Sequence, residues 1–168
     1  NDFTLDLPIH ADLKDFFKSF SSYYGVKAAD RYQNWRNIIQ SWRGKYPICP
    51  KEYYNRPDLI DAHVFIEELS KVTKEGDIIL TDAGGNLSWT MQAFRVKKNQ
   101  RLLSAWNHSP MGYSMPASIG AGLANKKADI YCIIGDGGLM MCIEELATIT
   151  RYDVPVKLFI FNNHGHGI

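Results

Sequence analysis

Apolar positions along this chain fall into short continuous runs separated by helical stripes. Two apolar runs, 130–134 and Val156–Phe161, the second interrupted by Lys157, read as buried strands. Between them Leu139, Ile143, Leu146 and Ile149 recur at threes and fours, predicting a helix that Asp153 and Pro155 end. Strand, helix, strand at this connection length predicts a βαβ unit with parallel strands. Upstream, Ala62, Phe65, Ile66, Leu69 and Val72 predict the buried face of a helix over 58–74. A strand at 78–80, a helix over 87–94 and a short strand at 101–105 follow. Pro116 suits the first turn of a helix built from small residues, Ala117, Gly120 and Ala121 among them. Near the start, Asp12 can cap a helix whose face is Leu13, Phe16, Phe17 and Phe20, with a break expected over 19–25. So apolar a helix needs a partner surface. Trp35, Ile38, Ile39 and Trp42 stripe a further helix over 30–46, ended by Gly44, Pro47 and Pro50; its basic residues read as a solvated face. The fold class expected is α/β, a mostly parallel sheet with helices on both faces.

Composition narrows the function. The chain has 168 residues, 45% hydrophobic and 22% charged, enough for a sizeable core. Its net charge of +1 gives no electrostatic case for nucleic acid or an anionic membrane. No apolar run approaches the ~20 residues of a membrane span. Cys49, Cys132 and Cys142 form no CxxC pair, which suits a reducing, cytoplasmic setting. The start lacks a Met and any signal-peptide pattern, and the last residue follows directly on a loop of interest, so both ends read as cut.

Candidate chemistry sits at the strand ends. In a parallel sheet the two strands finish at one edge, and ligands of open α/β sheets bind there. Asp136 follows the first strand and Asn163 the second, 27 positions later. A carboxylate with an amide oxygen is a hard-oxygen pair suited to Mg²⁺ or Ca²⁺. Gly137 and Gly138 open the next helix, so backbone N–H groups and the positive helix end face the same spot, as a diphosphate requires. Taken alone, Asp136 reads as a helix cap and Asn162-Asn163 as a turn. The loop Ala83-Gly84-Gly85-Asn86 lies at another strand end, and its glycines admit a ligand close to the backbone. Gly120-Ala121-Gly122 lacks the third glycine of a dinucleotide loop. His108, His164 and His166 have no spacing that supports zinc.

Together these stretches carry a resemblance. A GDG after a buried strand, 24 intervening residues with one helix and one strand, then Asn-Asn, resembles the thiamine-diphosphate motif. Nearly the whole chain resembles the C-terminal region of acetolactate-synthase-like thiamine-diphosphate enzymes, whose chains have an N-terminal pyrimidine-binding, a middle and a C-terminal diphosphate-binding domain. On that resemblance residues 1–22, with Leu7-Pro8-Ile9, are the tail of the middle domain. Residues 23–50 are the interdomain linker, and 51–168 an incomplete diphosphate domain.

The resemblance implies roles for particular positions. Asp136, Asn163 and the Gly165 carbonyl would ligate Mg²⁺. Gly137, Gly138 and Leu139 would face the diphosphate through backbone N–H groups, with Gly135, His166 and Gly167 beside it. Ala83, Gly84, Gly85 and Asn86 would form a second loop against the diphosphate. Met111 would prop the cofactor in its bent shape, and the Ser109 carbonyl would accept from the 4′-amino group. The bend lets the cofactor supply its own base, while the protein supplies binding and geometry. Decarboxylation of a small 2-oxo acid, pyruvate by default, and addition to an acceptor is the implied reaction. No catalytic residue is expected in this chain beyond His108 and His166 near the thiazolium side. The essential glutamate would come from the N-terminal domain of a partner chain, so a dimer or tetramer is expected and the 168 residues alone should be inactive. Glu144 and Glu145 read as surface residues. Some relatives carry FAD, and the sequence leaves its use open. A plain decarboxylase, C–C lyase or hydrolase, or a non-catalytic assembly domain, are the alternatives.

Overall fold

The computed structural model describes residues 4–23 and 32–166. The chain divides into two compact units, Asn1–Pro47 and Ile48–Ile168. The first holds α1 (Leu13–Tyr23) and α2 (Gln33–Lys45). Asp12 Oδ1 accepts from the Lys14 N–H at 2.8 Å, as an N-cap acid does. The break expected from Ser19 onward does not occur before Tyr23. Instead Ser22 donates to the Ser19 carbonyl at 2.7 Å, so its hydroxyl is satisfied within the helix. Gly25, Asp30 and Arg31 lie outside the described residues. No residue of either helix is buried, and Phe17, Trp35 and Trp42 remain half-exposed. Ring contacts line both stripes: Phe16 stacks on Phe20 at 5.5 Å, and Trp35 meets Trp42 edge-on at 5.6 Å.

In the second unit four parallel strands take the order β2-β1-β3-β4. They are β1 (Ile78–Thr81), β2 (Arg101–Leu103), β3 (Ile130–Gly135) and β4 (Val156–Phe161). Around them lie α3 (Lys51–Tyr54), α4 (Ala62–Val72), α5 (Gly85–Ala93), α6 (Ser114–Ala124), α7 (Asp136–Met140) and α8 (Glu145–Tyr152). Alternation along the strands builds two half-cores. Ile79, Tyr131 and Ile133 meet Ile66 and Leu69 of α4 and Ala93 at the end of α5. On the other face Ile78, Leu80 and Ile130 meet Ala117 and Ala121 of α6, while Cys132 and Ile134 pack on Met115. Ile79, Ile130 and Ile133 are wholly buried, each contributing roughly 1.5–3 kcal/mol of hydrophobic stabilisation. The expected α/β fold with helices on both faces is therefore what this unit forms.

Several boundaries differ from the pattern-based expectation. α4 begins at Ala62 because Asp61, not Asp58, caps it, accepting from the His63 N–H at 2.9 Å. Val72 is exposed rather than buried: the inward face runs Ile66, Leu69, Ser70 and then Thr73. The single helix expected between β3 and β4 is two. The N–H groups of Met141, Cys142, Glu145, Leu146 and Ala147 bond carbonyls three residues back, at 3.0–3.2 Å, which tightens the chain and separates α7 from α8. Cys142 takes the inward position, leaving Ile143 and Leu146 exposed. Asp153, left-handed at φ 47°, ends α8 where the sequence placed a break. Strand β2 stops at Leu103, two residues short of expectation. In α6 Gly122 faces Val154 where a Cβ would not fit, so the small-residue expectation holds there; Gly120 has open space instead.

Candidate functional site

The strand register sets the site. Gly135 of β3 stands opposite Phe161 of β4, so the residues after each, Asp136 and Asn162-Asn163, leave the sheet at one rim. Thr81 of β1 pairs with Ile133, and the Asp82 N–H donates to the Ile133 carbonyl at 2.9 Å, bringing the next loop to the same rim. A cavity of about 450 Å³ opens there.

Each wall follows from local chemistry. After β1 the chain turns through Gly84, whose φ of 80° a side-chain-bearing residue rarely adopts, and enters α5 at Gly85. The Trp89 indole lies over Gly85, where a Cβ would come within 2.7 Å of the ring. Asn86 is buried; its Nδ2 donates to the Ala83 carbonyl at 3.2 Å, and its Oδ1 has no partner. After β3, Asp136 is the first residue of α7, with Gly137 and Gly138 behind it. After β4 two successive side chains fold onto the backbone. Asn162 Oδ1 accepts from the His164 N–H at 2.9 Å, and Asn163 Oδ1 accepts from the Gly165 N–H at 3.2 Å. These turns carry His166 across Gly137, where a Cβ would lie 2.9 Å from the imidazole Cε1 and 3.2 Å from Met111 Cε.

Most of the residues singled out in the sequence therefore line one cavity. Ala83, Gly84, Gly85, Asn86, Met111, Gly135, Asp136, Gly137, Gly138, Asn163, Gly165 and His166 all do. Leu139, Ser109 and His108 are not on its wall. Leu139 packs its side chain against the buried cluster of Met115, Cys132, Ile134 and Cys142. Ser109 sits left-handed at φ 37° in the loop ahead of Met111, and His108 is exposed there. Gly167 lies outside the described residues. Sequence reasoning missed Asp82, Ile60, Ala62, Trp89 and Phe161 as wall residues. Only Asp82 carried a signal, as a charged residue directly after a buried strand.

The donors suit a hard cation. Among the described residues no three His, Cys, Asp or Glu side chains cluster as a metal site. The rim offers the carboxylates of Asp136 and Asp82, the amide oxygen of Asn163 and backbone carbonyls, the ligand types that Mg²⁺ accepts alongside phosphate oxygens and water. The unpartnered Asn86 Oδ1 marks polar wall that this chain leaves unsatisfied. The thiols take no part: burial pushes Cys142 up to about 11 and raises Cys132, and burial aided by Glu67 pushes Cys49 to about 11. All three stay protonated and unreactive near neutrality.

Comparison with known proteins decides the family. Residues 82–168, more than half of the chain, match the thiamine pyrophosphate enzyme, C-terminal TPP binding domain. The chain belongs to this family. The proteins it resembles include acetolactate synthases. A probable acetolactate synthase large subunit of Methanocaldococcus jannaschii is 32% identical over 97% of this chain and 28% of its own length. The isozyme 1 large subunit of Escherichia coli K12 is 32% identical over 85% of this chain and 25% of its own. The chloroplastic enzyme of Arabidopsis thaliana is 34% identical over 80% and 20%. This TPP-binding domain thus spans about a quarter of the length of the curated relatives it matches. None of its helices, among the described residues, is long and apolar enough to cross a membrane.

Proposed function

We propose that the domain binds thiamine diphosphate with Mg²⁺ inside an acetolactate-synthase-like 2-oxo-acid decarboxylase and carboligase, with pyruvate as donor. One observation carries this reading: the ends of β1, β3 and β4 bring Asp136, Asn163 and the glycine loops to a single cavity, which Met111, from the segment ahead of α6, also lines. Asp136 and Asn163 hold the cation through side-chain oxygens, with the Gly165 carbonyl as third protein ligand. The N–H groups of Gly137, Gly138 and Leu139, at the positive end of α7, hold the diphosphate. Asn86 and the 83–85 loop close its other side. Met111 reaches over Gly137 to support the organic part, and the Ser109 carbonyl accepts from its amino group. When bound, the cofactor supplies the electron sink that lets a 2-oxo acid lose CO₂. His166, lying against Gly137, is assigned to the substrate side; His108 lies off the cavity wall and is assigned no contact.

No glutamate lines the cavity among the described residues, and its only carboxylates are Asp82 and Asp136. The pyrimidine-activating acid is assigned to a second domain of a partner chain, so the working unit is at least a dimer and the 168 residues alone are inactive. Residues 1–22 are read as the tail of a middle domain, 23–50 as the linker, and the whole as cytoplasmic. Calorimetric titration of the full-length protein with thiamine diphosphate and Mg²⁺ tests the reading. Saturable, EDTA-sensitive binding that Asp136→Ala weakens by about 100-fold or more is expected. Absence of binding by the wild type overturns it.

A further inference from the structure

The carboxylate of Asp82 is buried to 2% exposure and is no member of the cation-binding set above. Its backbone is fixed to the sheet through the Ile133 carbonyl. Its side chain grips the segment ahead of α6 with both oxygens. Oδ2 accepts from the Gly112 N–H at 2.9 Å and Oδ1 from the Ser114 N–H at 3.1 Å. Ser114 is the first residue of α6, so the charge also sits at that helix's positive end. Against Oδ2 lies Gly138, where a Cβ would overlap the carboxylate. Gly112 in turn lies close to the Gly138 carbonyl, which a Cβ on Gly112 would approach to 3.2 Å. One side chain therefore touches the segment bearing Met111 and the turn after β3 at once.

Met111 has little else to hold it. Its side chain is 41% exposed, and residues 106–108 before it are exposed as well. A thioether with three rotatable bonds is not self-positioning. What is fixed is the next residue, Gly112, held left-handed at φ 83° by the bond to Asp82. Burying a carboxylate is costly, and an apolar residue could fill the same space without that cost. An apolar residue could not bind two backbone N–H groups of a segment 30 positions away.

We propose that Asp82 is a positioning residue of the cofactor site, fixing the spacing between Met111 and the Gly137–Gly138 turn. This rests on the thiamine-diphosphate reading, and it assigns Asp82 a contact with neither cation nor cofactor. Asp82→Asn preserves volume and the packing on Gly138, but one of its two acceptors becomes a donor facing a backbone N–H.

The test compares two ligands on the full-length protein, each with Mg²⁺. Inorganic pyrophosphate reads the cation and the turn alone, whereas thiamine diphosphate also needs Met111 in place. Asp82→Asn should weaken thiamine diphosphate about 10- to 100-fold and leave pyrophosphate within about threefold. Adding Met111→Ala to Asp82→Asn should cost little more, since coupled residues are not additive. Equal losses for both ligands, or no loss for either, overturn the proposal. A measurement on the wild type covers the case in which the variant does not fold. Without cofactor, the Gly112 and Ser114 amides should exchange with solvent at least about tenfold more slowly than those of 106–108. Equal exchange overturns the proposal. Failure of the wild type to bind thiamine diphosphate instead overturns the functional reading and this inference with it.

Discussion

Gly135 and Phe161 are register partners at the ends of β3 and β4. Their importance is positional: each is the last residue before a polar side chain that faces the cavity. A backbone pairing between two apolar positions thereby brings a carboxylate and an amide, distant in sequence, to one rim.

Asn163 supplies the first prediction. It is exposed and its structural bond is a single turn contact with the Gly165 N–H. Asn163→Ala should change the thermal midpoint of the cofactor-free protein by no more than about 2 °C. It should weaken Mg²⁺-dependent thiamine-diphosphate binding by about tenfold or more, measured by calorimetry. A large loss of stability with unchanged affinity would assign Asn163 to the fold.

Two glycines should respond oppositely to one methyl group. A Cβ at Gly138 overlaps the Asp82 carboxylate, whereas one at Gly120 meets nothing within 4 Å. Gly138→Ala should destabilise by about 1–3 kcal/mol, because both neighbours are fixed by the sheet. Gly120→Ala, in the exposed middle of α6, should stabilise by up to about 1 kcal/mol. Denaturant unfolding of the two variants checks both signs.

An acidic pH dependence follows from the pair joining α3 to α4. The Tyr54 hydroxyl donates to the Glu67 carboxylate, and that bond, ahead of the charges of Lys71 and Arg95, holds Glu67 below its ordinary value of 4.5. The same bond is the main reason Tyr54 is pushed up to about 12. A depressed carboxylate stabilises the fold above its unfolded value, and the contribution is lost as pH falls through the folded one. Tyr54→Phe should therefore lower the thermal midpoint near pH 7 by about 1–3 °C, and the difference should shrink below pH 4.5. A constant difference from pH 7 down to pH 3 would show that the lost contact is not ionic.

Thiol labelling at pH 8 should distinguish core from denatured cysteine. Cys132 and Cys142 are buried and held protonated by that burial. Both should react with a disulfide reagent at least about 100-fold more slowly than in denaturant. Rapid labelling of either would mean that the packing around Met115 opens readily.

Strand β3 was legible because its apolar run has the length of a buried strand, whereas β4, expected to be buried as well, is an edge strand with no buried residue and Ile160 46% exposed. The sheet class followed from the connection between them. What pattern could not supply was anything set by distant partners. Ile143 and Leu146 keep helical spacing and yet are exposed, since spacing records a stripe and not what covers it. Val72 fits the α4 stripe on paper, but the inward face turns toward Thr73. In the cavity wall, the glycine loops and the two polar strand-end residues were readable from local motifs. Asp82 showed locally only as a charge after a strand; its role was not readable, because Gly112 and Ser114, the groups that explain it, lie 30 and 32 positions ahead.

The unbroken parallel pairing from Ile130 to Gly135 makes strand length a matter of chemistry as well as folding. One residue inserted there would turn each following side chain to the opposite side, putting Ile133 among the partners of Cys132, and would move the acid at the tip out of step with its amide counterpart. Insertions in the exposed stretch 106–108 disturb no such alignment. Changes of length in this molecule should therefore be tolerated where the backbone is exposed and outside the sheet, and be ruinous where it is most regular.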